Sequence, residues 1–491
     1  MRPFSPALSS RDVQCISPDP ANTVTDRLNI ALNSSGPGFV LQLCPNAHYL
    51  IQAPILFAAP NQEISTAGYP TDNSRATLVV NGPVANGQGH TTAIDGTCPN
   101  CSGIKLRNIQ INGTRAGASP SGGGANIEMG GANSNQLIEY VHSYDPRSWS
   151  CLHIAEGGLL CNNVIVQNND IGPCGSDVYQ QWADGISISC RSAIVRNNLV
   201  NDPSDGGIVL FGSPGSLVEN NTIWVTNNTL LGGINMVDVT PWGGDYSGTV
   251  VRNNTIIGGF ATDSDSATKS DGDSVDDVII KIGIAIGPQT WFVDFFGANV
   301  SSSGTVLDNS LTGAFGYGMA ITSARNFTVQ NNVLFGNTSF VGSRGPNCSA
   351  SDPTPASAAF IVDSVNVTSS TIQSDFQSVQ DAKGLTCVQP LDGDYWPYGG
   401  NPSPGNFTPP LPSTSTPAPS QSQSAPAQSS GGHSSTGGKV GLAIGIIAGV
   451  IAIVAAVIFI RRRAVNRQLL ASVSRARANA GFVKAGEGLS Y

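Results

Sequence analysis

Short apolar stretches with a period of two recur along the chain, and each is followed by a Gly/Ser turn and a second short stretch that ends in asparagine. Two copies of this unit stand back to back between Ala183 and Ile223, and their glycines, Gly185 and Gly207, are 22 residues apart. A strand–helix–strand unit needs about 30 residues or more, so this period is too short for one. The spacing predicts a solenoid in which each coil consists of strands and stacks on its neighbours.

Further copies of both parts flank this pair. The glycine strand recurs at Gly124, Gly233, Gly283 and Gly318. The strand that ends in asparagine recurs at Asn108, Asn168, Asn169, Asn198, Asn221, Asn253, Asn254, Asn309, Asn331 and Asn332. Asparagine marks turns because it tolerates left-handed backbone, but asparagines at one place in successive coils also form ladders of amide hydrogen bonds. The recurrence favours the ladder and predicts an all-β fold, a parallel β-helix of about eight to ten coils running from about residue 76 to 367.

The N-terminal part predicts an end cap for this solenoid. Residues 25–32 fit a short helix with Thr25 or Asp26 as its N-cap and the turn at residues 34–38 as its end. A solenoid needs such a cap because its terminal coil otherwise exposes apolar core and unpaired strand edge. This entry resembles that of right-handed β-helices of the pectate-lyase type. The resemblance covers about residues 22–370 and implies a right-handed parallel β-helix, similar to that of fungal membrane-anchored β-helix proteins.

Changes in composition divide the chain into five segments. Residues 1–21 lack the apolar core of about 7–15 residues that a signal peptide requires. Residues 22–400 form the predicted β-helix domain, and residues 401–438, rich in Pro, Ser and Thr, predict an extended stalk. Residues 439–460 predict a transmembrane helix, and residues 461–491 predict a basic cytoplasmic tail.

The membrane segment is the clearest of these boundaries. Residues 440–460 carry no charge and are followed at once by Arg461, Arg462 and Arg463. About 20 apolar residues span a bilayer, and a basic cluster marks its cytoplasmic side, whereas a buried globular helix is the weaker alternative. The glycines of the segment permit a weak dimer through close helix pairing. The expectation is a single-pass plasma-membrane protein with its β-helix outside and its tail in the cytoplasm.

Charge and cysteine content agree with an extracellular domain. From Lys439 onward the chain carries eight of its 24 basic and one of its 33 acidic residues, which leaves 16 basic and 32 acidic residues before it, a net charge of −16. Such an acidic domain disfavours nucleic acid as a partner. Ten cysteines fit disulfides in an oxidising compartment, and Cys98-x-x-Cys101 lacks the second Cys/His pair that a zinc site needs.

Twelve Asn-x-Ser/Thr sequons also suit a secreted chain, and two of them, at Asn220 and Asn253, are expected on the asparagine ladder. A translocated domain needs a signal sequence, so the natural start is expected upstream of Met1.

Candidate chemistry lies on the glycine strands. Their period of two points Ile186 and Ile188 inward and Ser187 outward. Matching positions predict one outward column with about 4.8 Å between coils. The column consists of His153, Ser187, Val209, Asn235, Ala285 and Ala320. Most of these side chains are small, which predicts a flat floor for a linear polysaccharide with Ser187 and Asn235 as binding residues. A catalytic role for His153 competes with that of an ordinary surface histidine.

Two aspartates enter neighbouring glycine strands. Asp184 and Asp205 are 21 residues apart, and the stacking predicts that their carboxylates lie roughly 5 Å apart, as in glycosidases with paired carboxylates. Such a pair shares its protons, so one carboxyl holds its proton to higher pH. The structural alternative is that an aspartate before glycine simply makes a turn.

This region resembles the polygalacturonases, a family of β-helix enzymes with the motifs Asn-Thr-Asp-Gly, Asp-Asp, Gly-His-Gly and Arg-Ile-Lys. Asp184 matches the aspartate of the first motif, and Asp205 matches the first aspartate of the second. Gly206 and Gly232 replace the second aspartate and the histidine, and no Arg-Ile-Lys follows. The resemblance implies a hydrolase that uses Asp184 and Asp205 as acid and base, and we expect His153 to assist.

A second resemblance leaves a different reaction open. The sequence Tyr144-Asp145-Pro146-Arg147 is similar to the Asp-Pro-His segment of β-helix alginate epimerases, with arginine in place of histidine. A lyase or epimerase needs a base and a cation beside a uronate carboxylate. Candidates for these roles are Tyr144, Arg147, His153 and Lys281.

Loops complete the sequence-based hypotheses. Trp242 lies in an inserted loop, where it is expected to stack on a sugar ring. The acidic loop at residues 263–273 offers ligands to calcium but lacks the spacing of a calcium-binding loop, so no resident metal or cofactor is predicted. Three functions stay open: a polysaccharide hydrolase, a polyuronate lyase or epimerase, and a non-catalytic surface protein that binds glycans.

Overall fold

The computed structural model describes residues 15–85, 87–115, 121–175, 182–226, 229–259, 279–292, 296–340, 342 and 355–385. The predicted stalk, membrane segment and tail lie outside these residues, and so does the acidic loop at 263–273. Within the described part, no helix is long and apolar enough to cross a membrane.

The N-terminal helix runs from Ala21 to Ser35 and packs on the first strands of the solenoid. It starts four residues before the predicted N-cap, after Pro20, and no side chain caps it. Thr25 lies inside the helix and instead accepts a hydrogen bond from the backbone N–H of Gln52 at 2.9 Å. The buried stripe of Val24, Thr25, Leu28 and Leu32 covers the first coils. The capping role is therefore confirmed, whereas the predicted start is wrong.

All long sheets of the solenoid are parallel. Eleven strands on successive coils form the first face. These strands are Val40–Leu43, Glu63–Thr66, Lys105–Arg107, Leu137–Glu139, Ile165–Gln167, Ile194–Arg196, Leu217–Glu219, Val250–Arg252, Thr305–Leu307, Thr328–Gln330 and Thr371–Ile372. The parallel β-helix is thus confirmed, with eleven coils rather than eight to ten, because the coils begin at Val40 instead of residue 76.

In ten of the eleven coils a second-face strand follows the first-face strand, after a short turn in each except the coil of Glu63–Thr66, where residues 67–75 intervene. Its strands are His48–Ile51, Ala76–Val80, Ile109–Asn112, His142–Tyr144, Asp170–Ile171, Leu199–Asn201, Thr222–Trp224, Thr255–Ile257, the first half of Ser310–Ile321, and Val333–Phe340. Each strand pairs in parallel with its counterpart in the next coil, for example Val200 opposite Ile223.

The third face contains the glycine strands. They are Ile55–Leu56, Ile94–Asp95, Ile127–Gly130, Ser150–Ala155, Asp184–Ile188, Gly206–Leu210, Leu230–Met236, Ile280–Ile286, the second half of Ser310–Ile321, Phe360–Asp363 and Gln377–Val379. Smaller elements complete the fold: the strands Ser301–Ser302, Ala324–Arg325 and Val367–Thr368, the hairpin Val84–Ala85 with Gln88–Gly89, and the helix Gln289–Phe292. The inward side chains of the three faces form one continuous apolar core.

A ladder of buried asparagines joins the first two faces. It consists of Asn169, Asn198, Asn221, Asn254, Asn309 and Asn332. Each amide nitrogen donates to the Oδ1 atom of the next asparagine at 2.9 Å, and each backbone N–H donates to the same oxygen at 3.0–3.1 Å. The predicted ladder is therefore confirmed, and Gln373 continues it beyond Asn332.

The residue before each ladder asparagine has left-handed backbone, with φ between 53° and 56°. Asn220 and Asn253 occupy this exposed position, so their expected place on the ladder is wrong. Asn108 is also left-handed, and its amide donates to the carbonyls of Tyr69 and Pro70 instead of to another asparagine. The Asn-Asn pair therefore combines both properties of asparagine, turn formation by the first residue and stacking by the second.

Eight cysteines of the described part form four disulfides. The pairs are Cys15–Cys44, Cys98–Cys101, Cys151–Cys174 and Cys161–Cys190. Cys98 and Cys101 therefore bond to each other, and the expectation of disulfides is confirmed. Cys348 and Cys387 lie outside the described residues.

Candidate active site

The register of the third face aligns the predicted column. His153 lies opposite Ser187, Ser187 opposite Val209, and Val209 opposite Asn235. Ala285 and Ala320 continue the same line. The column itself is as predicted, because the glycine strands keep one register through these coils.

The column is not an open floor, however. Ser187 is 0% exposed and Asn235 is 1% exposed, and the alanines farther along are equally buried. His153, at 16%, is the one member of the column with appreciable exposure. Residue size and strand period could not reveal this, because burial here depends on what packs outside the sheet. Ser187 and Asn235 are therefore not surface residues on which a polymer lies, as had been predicted.

Asp184 starts its glycine strand with a buried, fully hydrogen-bonded carboxylate. Ser187 donates its hydroxyl to Oδ2 at 2.7 Å, and the backbone N–H of Gly206 donates to Oδ1 at 2.9 Å. Ser150 lies 3.0 Å from the Ser187 hydroxyl and extends this network to the preceding coil. Ser187 thus orients an acid rather than a substrate.

Asp205 is displaced by one residue from the position equivalent to Asp184. The register that pairs Ile186 with Ile208 places Gly206 opposite Asp184, and the backbone N–H of Asp205 donates to the carbonyl of Ala183. Asp205 therefore lies in the bend before its strand, where its side chain is half-buried. The two aspartates therefore enter neighbouring glycine strands, as predicted, but one residue out of register with each other. The two carboxyls nevertheless interact, because the charge of Asp205 raises the pKa of Asp184.

Asp238 is a third acid of this group, and the repeat pattern of the sequence did not indicate it. It follows the strand Leu230–Met236 and opens an inserted loop. The loop is held against the ends of neighbouring glycine strands, since Tyr246 donates to the carbonyl of Leu210 at 2.7 Å and Trp242 donates to Ser189 Oγ at 3.1 Å. The only available signal in the sequence is an acid at the start of an inserted loop, because Asp238 does not share the strand position of Asp184.

All three carboxyls hold their protons to higher pH than an ordinary aspartate. Burial raises the pKa of Asp205 to about 6. Burial, assisted by the charge of Asp205, raises the pKa of Asp238 to about 7. Burial and then the charges of Asp205 and Asp238 raise the pKa of Asp184 well above its usual range, against the opposing effect of its hydrogen-bond donors. Desolvation and like charges both disfavour the ionised form, and their coincidence at one place is typical of functional sites.

A histidine–glutamate pair lies beside the acids, one and two coils toward the N-terminus. The Nδ1 atom of His153 lies 2.7 Å from Oε2 of Glu128, and the other oxygen of Glu128 accepts the backbone N–H of Ala125 at 2.7 Å. The Trp149 ring packs edge-on against His153 with 4.8 Å between centroids. This arrangement leaves Nε2 of His153 as the nitrogen available to a ligand. The predicted column did not include Glu128. Ser187 lies two residues after the strand glycine Gly185, whereas Glu128 lies four residues after Gly124, so the glycine spacing did not align the two.

The remaining predicted binding residues are engaged elsewhere. Arg147 donates to the carbonyls of Val80, Gly82 and His90, so it anchors the neighbouring loop. Trp242 is 8% exposed, and the Arg191 guanidinium lies 5.0 Å from its ring centroid.

Lys281 is 1% exposed and already engaged within the chain. Tyr144 is half-buried and stacks on His142 of the second face at 4.6 Å. Arg147 and Tyr144 contact the second face and its loops rather than the acids. Trp242 lies in the same inserted loop as Asp238, with its indole N–H bonded to Ser189.

In the described residues, no group of three or more His, Cys, Asp or Glu side chains has a geometry that could hold a metal ion. None of the ion pairs found there involves Asp184, Asp205 or Asp238. The charge of Asp205 therefore raises the pKa values of Asp184 and Asp238, whereas burial alone raises that of Asp205.

Comparisons with known proteins address the fold. Residues 132–373 match the family described as right handed beta helix region. No curated relative matches the chain.

Among solved structures, an alginate lyase from Paenibacillus sp. str. FPU-7 is 14% identical over 64% of this chain and 95% of its own, with a TM-score of 0.42. The A-module of the Azotobacter vinelandii mannuronan C-5 epimerase AlgE6 is 14% identical over 72% of this chain and 95% of its own, with a TM-score of 0.39. The surface adhesin PfbA of Streptococcus pneumoniae is 11% identical over 72% and 87%, with a TM-score of 0.43. These likenesses are too distant to carry a functional argument. The stacked parallel coils and the match over residues 132–373 together identify the fold of the described part of the chain as a right-handed parallel β-helix.

Proposed function

We propose that the protein is a glycoside hydrolase that acts on an uncharged polysaccharide. The observation that carries this proposal is the group of three interacting carboxyls, all with raised pKa values, at the ends of glycine strands on three consecutive coils. Hydrolysis of a glycosidic bond needs one protonated carboxyl to protonate the leaving oxygen and one ionised carboxylate to act as base or nucleophile. Carboxyls with pKa values near neutrality meet both requirements at once.

Exposure distinguishes the roles of the three acids. Asp205 and Asp238 are half-buried and therefore reach a ligand, whereas Asp184 is 5% exposed and held by two donors. Asp205, with a pKa of about 6, ionises first and acts as base or nucleophile. Asp238, with a pKa of about 7, keeps its proton longer and acts as the acid. Asp184, whose pKa is raised most strongly, keeps its proton and orders the group through its hydrogen bonds with Ser187 and Gly206, and His153 assists at the neighbouring coil.

The charge of the site favours a neutral substrate. A polyuronate carboxylate would add a further negative charge beside three acids whose ionisation burial already disfavours, and beside the charge of Asp205 in particular. The cations that a lyase or epimerase would use on such a substrate are engaged, since Arg147 binds backbone carbonyls and Lys281 is buried. The observations therefore favour hydrolysis over elimination or epimerisation.

Display at the cell surface is part of the same proposal. The acidic domain, the cysteine pairs and the uncharged segment at residues 440–460 followed by three arginines all support it. In that arrangement the third face meets extracellular glycans.

A substrate panel tests the proposed activity. The full chain is incubated with neutral glucans, mannan, galactan and chitin, and separately with polygalacturonate and alginate, and the release of reducing ends is measured. We expect release from at least one neutral polymer and its loss, by at least a hundredfold, in Asp205→Asn and Asp238→Asn. Asp308→Asn is the matched control, because it is an exposed turn acid at a position where other coils carry asparagine. Binding without release would instead identify a non-catalytic glycan receptor.

A further inference from the structure

The outward column of the third face is covered at one end. Beyond Asn235 it continues through Ala285, Ala320 and Ile361, all 0% exposed. These residues belong to a second apolar cluster, separate from the core inside the solenoid. At about 4.8 Å per coil the covered stretch is about 14 Å long.

Two segments build this cover. The helix Gln289–Phe292 contributes Trp291 and Phe292, and the last described segment contributes Ala382 and Leu385. Backbone hydrogen bonds join the two, since the N–H of Gly384 donates to the carbonyl of Gln289 at 3.0 Å and that of Leu385 donates to Thr290 at 2.9 Å. The cover is therefore packed and hydrogen-bonded in place.

The opposite end of the column is open. Toward the N-terminus it passes through Glu128 and Asp95 to Leu56. Leu56 is 47% exposed, Asp95 is half-buried, and Glu128 retains 17% exposure. The column is buried from Ser187 onward, and the acids belong to the coils that carry Ser187, Val209 and Asn235. A ligand therefore approaches them along the accessible half, from the side of His153.

We infer that the site takes a polysaccharide by its chain end and removes short units from it. This inference rests on the proposed function and specifies the form of substrate. A polymer bound internally along the column would have to continue past the acids into the volume that Trp291, Phe292 and Leu385 occupy. A chain end stops at the acids and needs only the open half.

The test compares a linear oligosaccharide with its cyclic counterpart, which has no end, using the neutral polymer that the panel identifies. We expect the full chain to degrade the linear form, with one short product from the earliest time points, and to leave the cyclic form intact at least a hundredfold longer. Opening of the cyclic form at a comparable rate, or an early ladder of products of many lengths, overturns the inference while leaving hydrolysis established. Degradation of neither form overturns the proposed function, and the inference falls with it.

A variant of the cover makes the test independent of product size. Leu385→Ala removes part of the contact with the column, and Ile30→Ala, at an exposed position of the N-terminal helix, is the control. We expect Leu385→Ala to raise the rate on the cyclic substrate at least tenfold relative to the linear one. An unchanged ratio, with the melting temperature within a few degrees of wild type, contradicts the cover as the cause.

Discussion

Replacing Asn221 by alanine removes one rung from the middle of the asparagine ladder. Its amide donates to Oδ1 of Asn254 at 2.9 Å and to the carbonyl of Val195 at 3.0 Å. Its own Oδ1 accepts both the backbone N–H and the side-chain amide of Asn198, at 3.0 and 2.9 Å. Asn221 is 1% exposed and Asn198 is 0% exposed, so no solvent replaces the lost partner.

The cost follows from the groups left behind. Alanine orphans two buried donors on Asn198, and each unsatisfied buried group costs about 1–3 kcal/mol. The expected loss is therefore about 2–6 kcal/mol, a large share of a domain stability of about 5–15 kcal/mol. Since a solenoid unfolds in parts, amide hydrogen exchange at Asn198 reports the local loss directly, alongside the denaturant midpoint.

The matched control is Asn220→Gly. Asn220 is exposed and left-handed at φ 55°, a conformation that glycine adopts freely, so its expected cost is below about 1 kcal/mol. Both residues belong to the same sequon, so production in a bacterial periplasm removes glycosylation as a difference and permits disulfides. If Asn221→Ala and Asn220→Gly lose the same stability, or if exchange at Asn198 is unchanged, the ladder does not stabilise the coils as argued.

Three further predictions follow from the charges and contacts. Because the folded-state pKa values of Asp205 and Asp238 lie above 3.8, at about 6 and about 7, the native state retains protons that the unfolded state loses, so stability falls as pH rises from about 4 to about 7. Each raised pKa corresponds to at most about 3–4 kcal/mol of stability, and to less after solvent screening. The melting temperature should therefore fall less steeply with pH in Asp238→Asn than in the wild type. An equally steep fall would contradict the raised pKa of Asp238. Arg147→Lys should lower the melting temperature and speed proteolysis near residues 80–90 while leaving KM unchanged, because Arg147 donates to backbone carbonyls. A raised KM at unchanged stability would instead show that Arg147 binds substrate. In intact cells, external protease should remove the β-helix domain and spare a C-terminal tag, whereas loss of the tag would reverse the proposed topology.

The features that repeat along the chain were predictable from sequence, and those that occur once were not. The spacing of Gly185 and Gly207 and the recurring Asn-Asn pair predicted the coils, the ladder and the column, because every coil imposes the same constraint. The position of Asp205 was not predicted correctly. Asp205 follows Asp184 by 21 residues, whereas the strand glycines are 22 residues apart, and this difference of one residue places Asp205 before its strand. Asp238 was missed because its place is set by an inserted loop held by Tyr246, a contact that occurs once.

Burial of the column was equally hidden from sequence. Small residues such as Ala285 and Ala320 suit both an open floor and a close-packed layer. Among the described residues, the helix Gln289–Phe292 and residues 382–385 pack on this layer and make it a buried one. Contacts between segments about 100 residues apart leave no periodic signal.

Mass spectrometry of the products is the most direct test of the central claim that three carboxyls on the third face hydrolyse a neutral glycan. Hydrolysis adds one water for each bond broken, whereas elimination adds none and leaves an unsaturated sugar that absorbs near-ultraviolet light. The account predicts products from a neutral polysaccharide whose summed mass exceeds that of the substrate by one water per cleavage, and their absence with Asp205→Asn. Unsaturated products from a polyuronate, or equal product from wild type and Asp205→Asn, would contradict it.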